Sequence, residues 1–121
     1  MIKRLEDDTL TVIRETQASD PFAHAMIKYL THKEAPETDA YMRRKVLSAE
    51  DAFVVQNGVL CRLWYRDPRK QNVIDPVLQT YVPEVLRGAV IEQYHGGNRS
   101  GHLSPMKTWQ RLRERFYWPG M

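Results

Sequence analysis

Two histidines, His95 and His102, stand with six residues between them, and three of those six are glycines. This spacing lets one imidazole end a helix while the other folds back across a flexible loop, so that both can reach one metal ion. Structural zinc usually takes four protein ligands, and catalytic zinc takes three plus water. The pair alone is therefore only a weak indication of a metal site. A hydrolase built on it is disfavoured further, because no nearby carboxylate is in place as third ligand or base.

Basic side chains surround the second histidine. Lys107, Arg111 and Arg115 recur every four residues, with Arg99 in the preceding loop and Arg113 nearby. On a helix this spacing predicts a positive ridge that can contact phosphates. The alternative is that these residues form the solvated side of an amphipathic helix, and both interpretations remain open.

The other potential metal ligands have simpler explanations. Cys61 is the single cysteine, so the chain cannot form an internal disulfide, and its place among apolar strand residues favours a small buried hydrophobe over a ligand. His24 and His32 lie eight residues apart on one predicted helix, where solvated histidines are the common case. We expect none of the three to bind metal.

Composition limits the class of protein. With 121 residues, 42% of them hydrophobic, the chain is long enough for a helical arm and a small domain, but not for two full cores. Its short apolar runs predict no membrane span and an intracellular protein. Residues 1–51 carry ten acids and eight bases, whereas residues 52–121 carry five acids and ten bases. The basic second half is compatible with nucleic-acid binding.

The first half of the chain predicts two helices and a hairpin. Asp20-Pro21 is a cap followed by a first-turn proline, which predicts a helix to about His32, and a second helix is expected over residues 38–47. Asn57-Gly58 between two apolar runs predicts a two-residue type I′ turn. Val54 is then opposite Cys61, and strand alternation predicts one cleanly apolar face and a second, mixed face. The apolar face would hold Val59, Leu63 and Tyr65, and the mixed face Leu60, Arg62, Trp64 and Arg66.

The second half predicts one strand and two helices. Residues 77–82 have strand-like content between two prolines, which suits an edge strand. A helix from Pro83 to His95 would bury an apolar stripe, and a last helix from Ser104-Pro105 would bury another, with Trp109, Phe116 and Trp118 in the core. The stripes consist of Val85, Leu86, Ala89, Val90 and Tyr94 in one helix, and of Met106, Trp109, Leu112 and Phe116 in the other.

These elements predict an α+β fold: N-terminal helices, a small antiparallel sheet made of the hairpin and one strand, and two C-terminal helices. The expected divisions are a helical extension over residues 1–50, a three-stranded extension over 51–82 and a final unit over 83–121.

The final unit resembles the His-His-Cys-Cys zinc-binding domain of gypsy-class retrotransposon integrases. In that family a Val-Pro step leads into a helix ending on the first zinc histidine, six residues precede the second histidine, and another helix runs into an aromatic-proline signature. Asp20-Pro21 and the strand pair around Asn57-Gly58 also resemble the extension that precedes this domain. The matching residues of the final unit are Val82-Pro83, His95, His102 and Tyr117-Trp118-Pro119-Gly120-Met121.

The resemblance implies zinc as the family's metal, element DNA and other integrase subunits as partners, and the nucleus as the place of action. The family's Cys-x-x-Cys pair and its acidic catalytic core are not found in these 121 residues. We therefore expect no enzymatic activity from this chain, and weak or absent zinc binding, because two imidazoles leave half the tetrahedron open.

Two functions follow as alternatives. The first is a non-catalytic, DNA-binding or assembly unit of an integrase. The second is a domesticated or truncated module that binds protein partners or itself without binding DNA. For the second, Phe116, Tyr117 and Trp118 are expected to form an exposed apolar patch.

Overall fold

A computed structural model describes residues 5–95 and 104–121. These residues form five α-helices and a four-stranded mixed sheet, which confirms the α+β class. The helices are α1 Leu5–Ser19, α2 Pro21–His32, α3 Ala40–Ser48, α4 Glu84–His95 and α5 Pro105–Arg113. The strands are β1 Phe53–Gln56, β2 Val59–Trp64, β3 Val77–Tyr81 and β4 Phe116–Tyr117, in the order β1-β2-β3-β4. Short 3-10 turns lie at Glu50–Ala52 and Pro68–Lys70.

The hairpin forms as predicted. Asn57 and Gly58 have φ angles of 54° and 77°, the positive values that a type I′ turn requires at both central residues. Val54 pairs with Cys61 in the antiparallel ladder of β1 and β2. The turn chemistry thus fixed the register of the first two strands.

The helix boundaries follow their caps. Asp20 caps α2 by accepting a hydrogen bond from the Ala23 N–H at 2.9 Å, and Asp39 caps α3 by accepting from the Met42 N–H at 3.0 Å. The second predicted helix therefore starts two residues later than expected. Helix α1 was not predicted, because its stretch is polar and only its tertiary contacts identify its inward face.

Strand β3 is not an edge strand, contrary to the prediction. Strand β4 pairs with it in parallel, and the Thr80 and Val82 N–H groups donate to the carbonyl oxygens of Arg115 and Tyr117 at 2.8 and 2.9 Å. Helix α5 ends at Arg113, so Phe116 lies in this strand and not on the helix. The prolines that flank β3 did not prevent pairing, because both lie outside the ladder.

The larger core cluster lies on the sheet face that was predicted to be mixed. Leu60 is fully buried, and the Phe22 ring of α2 lies 5.5 Å from the rings of both Phe53 and Tyr81. The prediction that the Val59 face is the single apolar face was wrong, because α2 and α3 cover the opposite one. The cluster comprises Phe22, Ala23, Met26, Val46, Phe53, Leu60 and Tyr81.

The second core cluster joins α1 to the C-terminal elements and consists of Ile13, Val82, Val90, Leu112, Phe116 and Trp118. Phe116 and Trp118 are only 6% and 8% exposed, so the expected exposed aromatic patch is not found; pairing of β4 buries it. The predicted stripes are also only partly correct. Val85 and Met106 are 79% and 62% exposed, and Ala89 and Trp109 also face solvent.

No helix in the described ranges is both long and apolar enough to span a bilayer.

Candidate functional site

Helix α4 carries the first candidate zinc ligand. Its start is tied to β3 because the Arg87 Nε–H donates to the Val82 carbonyl oxygen at 2.9 Å. Near its end, the Tyr94 ring meets Phe116 edge-on at 5.7 Å, and Tyr94 Oη accepts a hydrogen bond from Arg115 Nη1 at 3.1 Å. His95 is the last residue of this anchored helix, as the sequence predicted.

The remaining loop residues of the predicted site, His102 and Arg99, lie outside the described residues, so their assignment stays a prediction. Helix α5 resumes after them with Ser104 as its cap, whose hydroxyl accepts from the Lys107 N–H at 3.2 Å.

The described residues do not complete a zinc site. Within 5–95 and 104–121, no group of three or more histidine, cysteine, aspartate or glutamate side chains is placed to hold a metal. Cys61 is buried in β2, and its burial raises the pKa of the thiol, which disfavours the thiolate that zinc would bind. His24 and His32 are exposed on α2. The chain's donor set therefore fits half of a structural zinc site, namely its two loop-flanking histidines.

The predicted positive ridge is divided by the end of α5. Lys107 and Arg111 are exposed on the helix. Arg115 lies in the turn beyond it and is committed to Tyr94 of α4. The structure therefore presents two ridge residues on the helix and uses the third to join α5 to α4.

A second basic feature lies at the far end of β2 and was not recognised in the sequence. The Arg113 guanidinium lies between two indole rings, 5.1 Å from the centre of Trp64 and 4.3 Å from that of Trp109. Arg66 lies 5.7 Å from the Trp64 ring. Arginine and tryptophan side chains therefore alternate from the end of β2 to α5, in the order Arg66, Trp64, Arg113 and Trp109.

A third stacked arginine adjoins this arrangement. The Arg62 guanidinium lies 4.4 Å from the centre of the Tyr117 ring. Arg62 and Trp64 project from the same face of β2, because they are two residues apart on a strand. Strand alternation predicted that Arg62, Trp64 and Arg66 share one face. Only the tertiary structure shows what lies against them, namely Trp109 and Arg113 of α5 and Tyr117 of β4.

A buried glutamine of β3 contacts both Arg62 and Arg113. Gln79 is 3% exposed and pairs across the ladder with Arg62, while its Nε2 donates to the Arg113 carbonyl oxygen at 2.6 Å. Two buried atoms here, Gln79 Oε1 and Arg113 Nε, have no hydrogen-bond partner in the described part of the chain. The contact between the sheet and α5 is therefore polar here. Its two unpaired buried atoms cost free energy that an apolar contact would not.

A buried tyrosine connects the N-terminal elements to α4. Tyr81 Oη donates to the Asp20 carboxylate at 3.5 Å and accepts from Arg87 at 3.4 Å. Burial and then the nearby Asp20 charge raise the pKa of Tyr81 to about 12. Asp20 caps α2 and Arg87 lies on α4, so these contacts hold the extension against the helix that ends at His95.

Comparison with known proteins shows what this C-terminal segment is similar to. Residues 82–121 match the family model of the integrase zinc binding domain. The matched range begins where β3 ends and includes α4, α5 and β4, together with both histidines. The predicted resemblance to the integrase zinc-binding domain is confirmed for residues 82–121, which are similar to that domain.

A mouse protein, zinc finger and BTB domain-containing protein 11, is 26% identical over 107 residues, which cover 86% of this chain and 10% of that protein. The chain thus spans about a tenth of the length of this relative. The similarity is not confined to the zinc-binding segment, because it extends over most of the preceding elements as well.

Proposed function

We propose that this chain is the extension and zinc-binding segment of a gypsy-class retroelement integrase, and that it acts without catalysis by binding element DNA or by assembling integrase subunits for DNA integration. The observation that carries the proposal is the family match over residues 82–121, in which a helix ends on His95 and His102 follows after six residues.

The charge distribution supports a nucleic-acid partner. Residues 52–121 carry ten bases and five acids, and the exposed bases of α5 include Lys107 and Arg111. Arginine and lysine side chains on one region of a small domain supply the phosphate contacts that dominate DNA affinity. Arg99 and Arg115 belong to the same proposal as further contributors near the histidine loop. In this role the protein would act in the nucleus.

Zinc is expected to contribute little to the folding of this chain. In a complete structural site the metal would hold the loop between α4 and α5 through His95 and His102, and two further donors would close the tetrahedron. With two imidazoles alone, most of the folding free energy that zinc supplies is missing. The interactions of α4 and α5 with the sheet therefore hold the fold of this chain.

DNA binding as a function of salt tests the main proposal. Fluorescence anisotropy of a labelled short duplex should give binding at low salt, and the affinity should fall steeply as salt rises, with a logarithmic slope of about 0.9 for each phosphate contacted. A Lys107→Ala, Arg111→Ala double variant should bind more weakly and with a shallower slope. Absence of any binding at low salt would refute a DNA-binding role.

A protein-interaction module is the second candidate, and the mouse relative favours it. A similar stretch lies within a much longer protein whose name describes zinc finger and BTB domains. In this chain the surface for a partner would be the shallow apolar groove between α4 and α5, with a volume of about 440 Å³, whose walls include Ile91, Trp109, Leu112 and Trp118. The groove takes the place of the aromatic patch expected from the sequence.

Light scattering over a concentration series distinguishes the two candidates. Self-association that is lost in an Ile91→Ser variant would favour the module if the natural protein also binds no DNA at low salt. A monomer at all concentrations that binds DNA would favour the integrase unit. Val85→Ser is a matched control, because it removes an exposed side chain of α4 that does not line the groove.

A further inference from the structure

Three arginines at the far end of β2 lie on aromatic rings, and together with those rings we define them as the stacked-arginine surface. Arg113 lies between Trp64 and Trp109, Arg66 lies beside Trp64, and Arg62 lies on Tyr117. The surface brings together β2, the end of α5 and β4, whereas the predicted ridge lies on α5 alone.

Two of these arginines have no carboxylate partner among the residues that the structure describes. Arg66 forms an ion pair with Glu114, but neither Arg62 nor Arg113 forms an ion pair with any acid in the described ranges. Stacking engages the flat face of a guanidinium and leaves its N–H donors pointing outward in the ring plane. Arg113 Nε is buried, so the donors that remain for an anion are the terminal Nη groups of Arg113 and the guanidinium of Arg62.

Both arginines are also held in place. Arg62 lies within β2 opposite Gln79, and Gln79 donates to the main-chain carbonyl of Arg113. Arg113 is further fixed between two rings. A side chain that is already ordered loses less conformational entropy when it binds a ligand, so these two guanidiniums are better prepared for binding than the free lysine and arginine of the α5 ridge.

The surroundings suit a nucleic acid. Trp109 is 38% exposed beside Arg113, and an exposed indole next to a guanidinium offers a base or sugar a stacking contact beside a phosphate contact. The loop after β2 adds the exposed Lys70, whereas the guanidinium of Arg69 is paired with Asp67. An acidic peptide would satisfy the same charges but would gain little from the indole.

We propose that the stacked-arginine surface is a nucleic-acid contact site, in which Arg62 and Arg113 donate to backbone phosphates and Trp109 contacts an adjacent base or sugar. The proposal rests on the proposed DNA-binding function and deepens it, because it assigns the main contact to the end of the sheet and not to the α5 ridge.

The test measures anisotropy of a labelled short duplex and of one of its single strands, with Arg62→Ala, Arg113→Ala and the double variant. Each single change should weaken binding about tenfold and lower the logarithmic salt slope by about 1. Tryptophan fluorescence should be quenched by DNA in the natural protein, and less so in Trp109→Leu. Arg44→Ala, which removes an exposed charge from α3, should leave the affinity unchanged.

Folding is checked separately by circular dichroism and thermal unfolding of each variant. Arg113→Lys keeps the charge but loses the planar fork, so it should bind with intermediate affinity even if Arg113→Ala does not fold.

The outcomes separate this inference from the proposed function. If the natural protein binds DNA and the Arg62→Ala, Arg113→Ala variant binds equally well, while the Lys107→Ala, Arg111→Ala variant does not, the inference is overturned and the function stands. If polyglutamate competes as effectively as DNA, the surface is one for acidic peptides, and the inference is again overturned. If the natural protein binds no DNA at low salt, the DNA-binding role in the proposed function fails, and this inference fails with it.

Discussion

At the scale of single residues, the buried amide of Gln17 connects α1 to two strands of the sheet. Its Oε1 accepts from the Leu60 N–H at 2.8 Å, and its Nε2 donates to the carbonyl oxygens of Leu60 and Tyr81 at 3.2 and 2.8 Å. Leu60 and Tyr81 would be the next pair in the β2–β3 ladder, which ends at Cys61 and Thr80. The side chain thus replaces a missing rung and ties α1 to both strands.

Gln17→Ala should lower the free energy of unfolding by about 2 to 4 kcal/mol, because it leaves three buried main-chain groups without partners. Chemical denaturation monitored by tryptophan fluorescence measures the change. Gln110→Ala, which alters an exposed glutamine of α5, should change stability by less than about 0.5 kcal/mol. Equal effects of the two substitutions would contradict the role of Gln17.

Tyr81 gives the fold a dependence on alkaline pH. The unfolded tyrosine ionises near its ordinary pKa of 10, whereas the pKa in the folded state is about 12. Between these values the unfolded chain has lost the proton and the folded chain keeps it, so stability falls as pH rises from about 10 to 12. The full loss is about 2 to 3 kcal/mol.

Tyr81→Phe should remove this part of the pH dependence, as measured by urea denaturation at a series of alkaline pH values. Tyr41→Phe is the control, since Tyr41 is 65% exposed. A natural protein and a Tyr81→Phe variant with the same slope would show that Tyr81 ionises as freely as an exposed tyrosine.

At the scale of elements, the short strand β4 organises the C-terminal unit. It adds a parallel strand to β3 and contains the buried Phe116, and the buried Trp118 follows it directly. A helical spacing of apolar residues suggested that Phe116 continues α5. The helix instead ends at Arg113, because the strand pairing satisfies main-chain groups that a longer helix would leave away from the sheet.

Phe116→Ala should destabilise the fold by about 3 to 5 kcal/mol, because it removes a ring from the second core cluster and detaches β4 from α4. Met106→Ala is the matched control at a position predicted from the same stripe but 62% exposed, and it should have a small effect. Thermal unfolding of both variants tests whether the sheet or the helical stripe determines the packing here.

At the scale of the whole molecule, the N-terminal elements and the segment over residues 82–121 share contacts. Ile13 of α1 packs with Val90 and Leu112, and Asp20, Tyr81 and Arg87 form a polar connection across the same boundary. The fold of the α4–α5 unit therefore does not depend on the metal alone. This is the physical basis for expecting a folded chain despite its single cysteine.

Zinc should accordingly raise the melting temperature only slightly, because a ligand stabilises a fold in proportion to the logarithm of its concentration over its dissociation constant. Calorimetric zinc titration and thermal unfolding measure this in the natural protein, in His95→Ala and in the control His32→Ala. One zinc bound tightly per chain, and lost in His95→Ala only, would contradict the expectation of weak binding.

Local signals in the sequence determined the elements that begin with a helix cap or are joined by a tight turn. Two helix starts were predictable from the cap-proline pairs Asp20-Pro21 and Ser104-Pro105, and the hairpin register was predictable from the turn pair Asn57-Gly58. Each pair acts on neighbouring main-chain groups, so the rest of the chain was not needed. The order of α4, histidine loop and α5 was likewise enough for the family resemblance over residues 82–121.

Only the tertiary structure decided what depends on distant partners. The buried face of the sheet was settled by α2 and α3, the partner of β3 by β4, and the role of Gln17 by two strands more than forty residues away. The stacking of Arg113 between Trp64 and Trp109 likewise joins β2 to α5. Burial and stacking are properties of neighbours in space, and periodicity along the chain does not specify which neighbours those are.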